Sequence, residues 1–82
     1  MRPYKYLLRT EALEFFHQRT SREREVLIRH FKSLAEYPAQ EADYEYDEGG
    51  ATTAVKHFGS WQITYWLDDP VRHVHILDIA SV

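Results

Sequence analysis

From Thr52 to Ile79, the last third of the chain alternates apolar and polar residues with the period of a β-strand. Turn-forming residues interrupt the alternation at Gly59-Ser60 and at Asp68-Asp69-Pro70. Strands joined by such short turns lie side by side, so the pattern predicts an antiparallel meander. We expect one face to pack on the core and the other face to remain open.

The middle strand of the meander shows the difference between the two faces most clearly. The inward side is aromatic and aliphatic: Trp61, Ile63, Tyr65 and Leu67. The open side is polar apart from one indole: Gln62, Thr64, Trp66 and Asp68. His73 and His75 join the open side, with either Lys56 or His57, because a slip of one residue in register exchanges those two.

The first half of the chain has helical spacing after a short strand at Tyr4 to Arg9. A helix is predicted from Glu11, with Thr10 as its N-cap and with Leu13 and Phe16 facing inward.

A second helix is predicted from the capping-box pattern of Thr20 and Glu23. It is expected to end near Tyr37, before Pro38. Its apolar stripe has helical spacing: Leu27, Ile28, Phe31, Leu34 and Ala35.

These elements predict an α+β fold in which a helical hairpin packs on one face of a small antiparallel sheet, in the order β-α-α-β-β-β. Pro38 to Glu41 is too short to separate domains, so residues 1–82 are expected to form one domain.

The 82 residues include no cysteine, which excludes disulfides and thiolate metal sites. No stretch approaches the roughly 20 apolar residues of a membrane span. We therefore expect a cytoplasmic protein.

Acids and tyrosines alternate from Asp43 to Asp47, before a turn predicted at Glu48-Gly49-Gly50. This segment is predicted to be an edge strand or an extended loop. Its acids either protect an edge against aggregation or form part of a functional acidic surface. They also contribute to a charge asymmetry, since residues 1–37 carry a net +3 and residues 38–82 a net −6. The sheet half is thus expected to repel phosphate.

The stretch from Ala54 to Trp66, with the closing strand from Val74 to Ile79, resembles the RelE/ParE superfamily of toxins from bacterial toxin-antitoxin pairs. In that family a basic strand leads into a turn, an aromatic residue, an arginine and an apolar run ending in tyrosine. The corresponding residues are Lys56 and His57, Gly59-Ser60, Trp61, Gln62, and Ile63-Thr64-Tyr65. The resemblance implies a cognate antitoxin as partner and implies no cofactor.

The resemblance leaves two targets open. Members of the RelE branch cleave messenger RNA on the ribosome, using Lys and Arg side chains to stabilise negative charge on the phosphate. Gln62 stands where the family has arginine, so a neutral amide replaces a positively charged guanidinium group. Members of the ParE branch bind DNA gyrase and need no such cluster.

The candidate catalytic residues follow from the resemblance. Lys56 is the candidate phosphate contact, His57 the general acid or base, and His73 or His75 a second proton-transfer group, beside Gln62. The alternative is that these histidines have no catalytic task. His73 and His75 also share a strand face, but no third ligand is fixed by spacing, so no metal site is predicted.

The candidate partner-binding residues are Trp66, Thr64, Tyr44 and Glu45. Trp66 has three interpretations: contact with a partner protein, stacking on a base, or simple cover of the sheet. Three functions stay open at this point: a toxin, a non-toxic binding or regulatory module with the same fold, and a self-standing hydrolase that uses the histidines.

Overall fold

The computed structural model describes residues 3–48 and 51–82. The helices are α1 (Thr10–His17), α2 (Ser21–Glu36) and α3 (Pro38–Glu41). The strands are β1 (Lys5–Leu8), β2 (Tyr44–Glu48), β3 (Ala51–Phe58), β4 (Trp61–Asp68) and β5 (His73–Ser81). A 3-10 turn at Asp69–Val71 joins β4 to β5, and Gly59 turns between β3 and β4 with a φ of 59°. Gly49 and Gly50 of the turn predicted after β2 lie outside the described residues.

The strands of the described residues form one sheet in the order β1-β5-β4-β3-β2. The prediction of an α+β fold with a helical hairpin on one face of the sheet is confirmed. The described sheet differs from the prediction in two respects. β2, predicted as an edge strand or an extended loop, is a strand, so four strands follow the helices where the predicted order has three. In addition, β1 pairs with β5 in parallel while the other pairs are antiparallel. A tight turn forces antiparallel pairing, whereas β1 is followed by the helices, so no local signal sets its direction.

Helix α2 begins where the sequence predicted. The hydroxyl of Thr20 accepts a hydrogen bond from the backbone N–H of Glu23 at 3.1 Å, and the Glu23 carboxylate accepts one from the Thr20 N–H at 3.0 Å. This complete capping box satisfies two backbone donors that the first turn leaves without helical partners. The backbone bond to Thr20 also lowers the pKa of Glu23.

Helix α1 departs from the prediction. It begins at Thr10 itself, so Arg9 is the N-cap residue and the assignment of Thr10 as N-cap is wrong. Ala12 is fully buried while Leu13 is 42% exposed. The inward stripe of α1 is therefore Ala12 with the half-buried Phe15 and Phe16, at positions i, i+3 and i+4. Leu13 lies beside that stripe.

We expect Thr20→Ala to lower the free energy of unfolding by about 1 kcal/mol, because the variant loses the side-chain cap of α2. Urea denaturation of the purified protein measures the change. Thr10→Ala is a matched control, since Thr10 also begins a helix but makes no capping bond. Equal losses in the two variants would contradict a specific role for the cap.

The core lies between the helices and one face of the sheet. Its helical members are Ala12, Leu27, Phe31 and Leu34, and its sheet members are Ala54, Ile63, Tyr65, Val74, Ile76 and Ile79. The Tyr65 hydroxyl donates a hydrogen bond to the Pro38 carbonyl at 2.6 Å, which places α3 on the same side. Burial raises the pKa of Tyr65. The described helices thus all pack on one face, and the opposite face carries no described element.

None of the helices that the structure describes combines the length and the apolar character needed to cross a membrane.

Candidate functional site

Strand register arranges the open face of the sheet in rows that cross the strands. One row, here called the central row, crosses every strand of the described sheet: Tyr46, Thr53, Trp66, His75 and Leu7. A second row, nearer the turn between β3 and β4, contains His57, Gln62 and Ala80. Gln62 and Trp66 are four residues apart on β4, which separates the two rows by about 13 Å.

The register decides which of Lys56 and His57 faces the open side. His57 lies opposite Gln62 and is on the open face, whereas Lys56 lies opposite the core residue Ile63 and is on the helix-bearing face. The candidate residues therefore form two separate groups. His57 and Gln62 come together near one end of the open face, while His73 and His75 lie towards the other end with Trp66.

The first group, here called the His57 cluster, consists of His57, Gln62, Asp43 and Lys56. The Asp43 carboxylate accepts a hydrogen bond from the His57 backbone N–H at 2.7 Å and lies 3.2 Å from His57 Nδ1. His57 Nε2 lies 3.1 Å from Gln62 Oε1. Asp43 thus orients the imidazole as a carboxylate orients a catalytic histidine, with the distal ring nitrogen directed towards Gln62.

Lys56 is held by the same carboxylate. Its Nζ lies 3.4 Å from Asp43 Oδ1 and 3.9 Å from Glu41 Oε2. Its charge is therefore already balanced by two carboxylates, and an approaching phosphate would meet Asp43 beside it. The His57 cluster contains an imidazole, a side chain able to accept or donate a proton, but carboxylates compensate the Lys56 charge that would stabilise a pentacovalent phosphate.

Asp43 gives the cluster a pH dependence. Its hydrogen bonds, led by that from the His57 backbone, lower the pKa of Asp43 below its ordinary value of 3.8. The charged carboxylate therefore contributes stability above pH 3.8, and the contribution is lost as pH falls through the lower, folded-state pKa. We expect Asp43→Asn to lower the melting temperature at neutral pH and to differ progressively less from wild type as pH falls through that range.

Melting curves recorded across this pH range test the expectation. Glu25→Gln, on the exposed side of α2, is the control for loss of a carboxylate elsewhere. A difference between Asp43→Asn and wild type that does not change with pH would show that the Asp43 charge is not the cause.

The second group, here called the Trp66 cluster, consists of Trp66, His75, His73 and Asp68. The Trp66 and His75 rings stack at 4.8 Å between centroids, and the His73 and His75 rings lie 6.1 Å apart. His75 Nε2 is 3.7 Å from Asp68 Oδ2, too long for a hydrogen bond. Only 12% of the His75 side chain is exposed, and neither ring nitrogen has a hydrogen-bond partner. The His75 ring is therefore largely covered, and the Trp66 ring stacks on it.

The described residues contain no group of three or more His, Asp or Glu side chains arranged to hold a metal ion.

The partner-binding candidates are divided between the faces. Tyr44, 51% exposed, lies on the open face in one row with Thr64, and its ring is 6.4 Å from that of His57. Glu45 lies opposite the core residue Ala54, so its side chain is on the helix-bearing face. Trp66 is half-buried in the central row.

Sequence reasoning missed Asp43 as a partner of His57. The two residues are 14 positions apart, and only the pairing of β2 with β3 brings them together. The acidic segment was visible in the sequence, but its register against β3 was not.

No family model and no curated protein matches this chain. Several solved structures, however, match the chain. The chain is similar to a chain of the toxin-antitoxin complex RelBE2 from Mycobacterium tuberculosis, with a TM-score of 0.84 and 22% identity over 99% of this chain and 100% of that chain.

Two further structures match over nearly their full length. One is the archaeal RelE-RelB complex from Pyrococcus horikoshii OT3, with a TM-score of 0.76 and 11% identity over 98% of this chain and 96% of that one. The other is the intact RelBE toxin-antitoxin complex of E. coli, with a TM-score of 0.72 and 17% identity over 96% of each chain. The chain therefore shares the fold of these proteins, and the resemblance to the RelE/ParE superfamily is confirmed at the level of the fold.

Proposed function

We propose that this chain is the toxin-like component of a toxin-antitoxin pair, which arrests cell growth and is neutralised by a cognate antitoxin protein. The observation that carries the proposal is the match of fold to a chain of the RelBE2 complex, since it extends over 99% of one chain and 100% of the other. The open sheet face adds support, because it leaves a rigid surface available for a target.

The charges of the site favour binding to a protein target rather than cleavage of RNA. Lys56 is paired with Asp43 and Glu41, and Gln62 is neutral. Residues 38–82, which include β2 to β5, carry a net charge of −6. Phosphate binding gains its free energy from cations, so this half of the chain as a whole offers a nucleic acid little attraction. A protein target such as DNA gyrase fits these charges better than messenger RNA on the ribosome, and either target implies action in the cytoplasm.

Induced expression in bacteria tests the proposal. We expect wild-type protein to stop growth, and we expect His57→Ala and Lys56→Ala to stop it as well, because neither side chain performs chemistry in a binding mechanism. Colony counts after induction measure the arrest. Mapping of messenger RNA ends and the supercoiling of a reporter plasmid show which target is affected.

Each other result overturns a defined part of the proposal. Messenger RNA cleavage that disappears in His57→Ala would establish a nuclease that requires His57 and remove the preference for a bound protein target. Growth that continues while wild-type protein accumulates in folded form would remove the toxin function and leave a non-toxic binding module with this fold.

A further inference from the structure

β2 is an outer strand of the described sheet, and its two sides have opposite chemistry. Glu45 and Asp47 project to one side, and Tyr44 and Tyr46 to the other. We call these four residues the β2 edge. Within the described residues no strand pairs with its outer side, so backbone N–H and C=O groups there are available to an added strand.

The acids of the β2 edge lie on the helix-bearing side, without a cation. Glu45 is opposite the core residue Ala54, and Asp47 is opposite Thr52, whose hydroxyl donates a hydrogen bond to Asp47 at 3.2 Å. Both acids are exposed. Among the described residues, no Lys, Arg or His lies within ion-pair distance of either carboxylate. The acids therefore present uncompensated negative charge at every second position.

The tyrosines of the β2 edge lie on the open face and remain largely accessible. Tyr44 is 51% exposed and Tyr46 is 42% exposed. Tyr46 is the end of the central row, next to the buried Thr53 and then Trp66. Aromatic surface of this kind stabilises contacts with apolar side chains of a partner.

We propose that the β2 edge binds an extended basic segment of the cognate antitoxin as an additional strand. Lys or Arg at alternate positions of that segment would face Glu45 and Asp47, and the intervening apolar residues would lie beside Tyr44 and Tyr46. This inference rests on the proposed function and adds to it the chemistry and position of the partner segment.

Charge favours a basic segment at the β2 edge over two alternatives, a second copy of the chain and binding at the opposite outer strand. In a second copy of the chain paired edge to edge, the acids of one β2 edge would meet those of the other, which is unfavourable. At the opposite end of the sheet, a cavity of about 520 Å³ beside β1 is lined by two lysines, Lys5 and Lys32, and by one acid, Glu36. Cations outnumber acids there, whereas the β2 edge carries two acids, so of the two outer strands the β2 edge matches a basic segment better.

A short synthetic peptide in which lysine and valine alternate is the probe. Amide chemical shifts and hydrogen exchange of the protein at residues 44–48 report where it binds. We expect shifts and slower exchange in this segment, and weaker binding at higher salt because exposed charge pairs are screened. A scrambled peptide of the same composition should bind more weakly, since its lysines do not all face the acids.

The double variant Glu45→Gln, Asp47→Asn is expected to bind the alternating peptide about 3- to 30-fold more weakly, from the loss of two cross-strand charge pairs. Charge reversal with Glu45→Lys, Asp47→Lys should transfer the preference to a peptide of alternating glutamate and valine. Lys5→Gln, on the opposite outer strand, is the matched control and should change nothing.

Equal binding by wild type and the neutralised variant would overturn the inference, as would equal binding of the alternating and scrambled peptides. Absence of binding would leave the acids as edge protection alone. Growth arrest that is suppressed by a co-expressed partner, together with no peptide binding, would overturn this docking site but retain the proposed function. Peptide binding without growth arrest would retain this docking site but overturn the proposed toxin function.

Discussion

Phe31→Ala is expected to lower the free energy of unfolding by about 3–5 kcal/mol, the largest stability effect of a single substitution in this chain. Phe31 is fully buried, and its ring lies 5.4 Å from that of Tyr6 and 6.1 Å from that of Phe16. It therefore connects α2 with both β1 and α1. Truncation removes the apolar contacts of α2 with these two elements at once and leaves a cavity between them.

The size of the chain makes this loss severe. Domains are stable by about 5–15 kcal/mol, and one of 82 residues buries a smaller share of its surface than larger domains do. Urea denaturation followed by circular dichroism measures the loss. Phe31→Leu is the control, since it retains an apolar side chain and should cost less than half as much. A loss below about 1 kcal/mol for Phe31→Ala would show that the neighbouring rings close the cavity.

The parts of the fold that could be predicted depend on contacts within a few residues. The capping box of Thr20, the apolar stripe through Leu27 and Phe31, and the turn at Gly59 are all set by neighbours in sequence. The parallel pairing of β1 with β5 joins Lys5 to His73, 68 positions away. No sequence signal near either residue indicates that the two strands pair, so only the three-dimensional structure reveals the pairing.

The candidate site shows the same difference between features set by neighbouring residues and features set by long-range strand pairing. Alternation along β4 correctly placed Gln62 and Trp66 on one face. It did not show that they belong to different rows, because alternation specifies the side of a sheet and carries no information on position across it. Only the register of β3 and β5 against β4 separates His57 from His73 and His75, and this separation excludes one site containing all three histidines.

Trp66→Ala is expected to reduce growth arrest more than any other substitution on the open face. Trp66 is at the centre of the central row, between Thr53 and His75. Aromatic residues at the centre of an interface commonly account for 2 kcal/mol or more of binding, so we expect target affinity to fall about 30-fold or more. The inducer concentration needed to stop growth measures this loss.

Stability must be separated from binding in this experiment, because Trp66 also covers His75. Trp66→Phe retains an aromatic ring over His75 and should recover much of the arrest, whereas Leu13→Ala removes an exposed apolar side chain from the helix-bearing face and should have no effect. Urea denaturation of each variant shows whether it is folded. If folded Trp66→Ala stops growth at the same inducer concentration as wild type, the open face is not the target-binding surface. Since the helices cover the other face, binding would then have to occur at an edge strand or on the outer side of the helices.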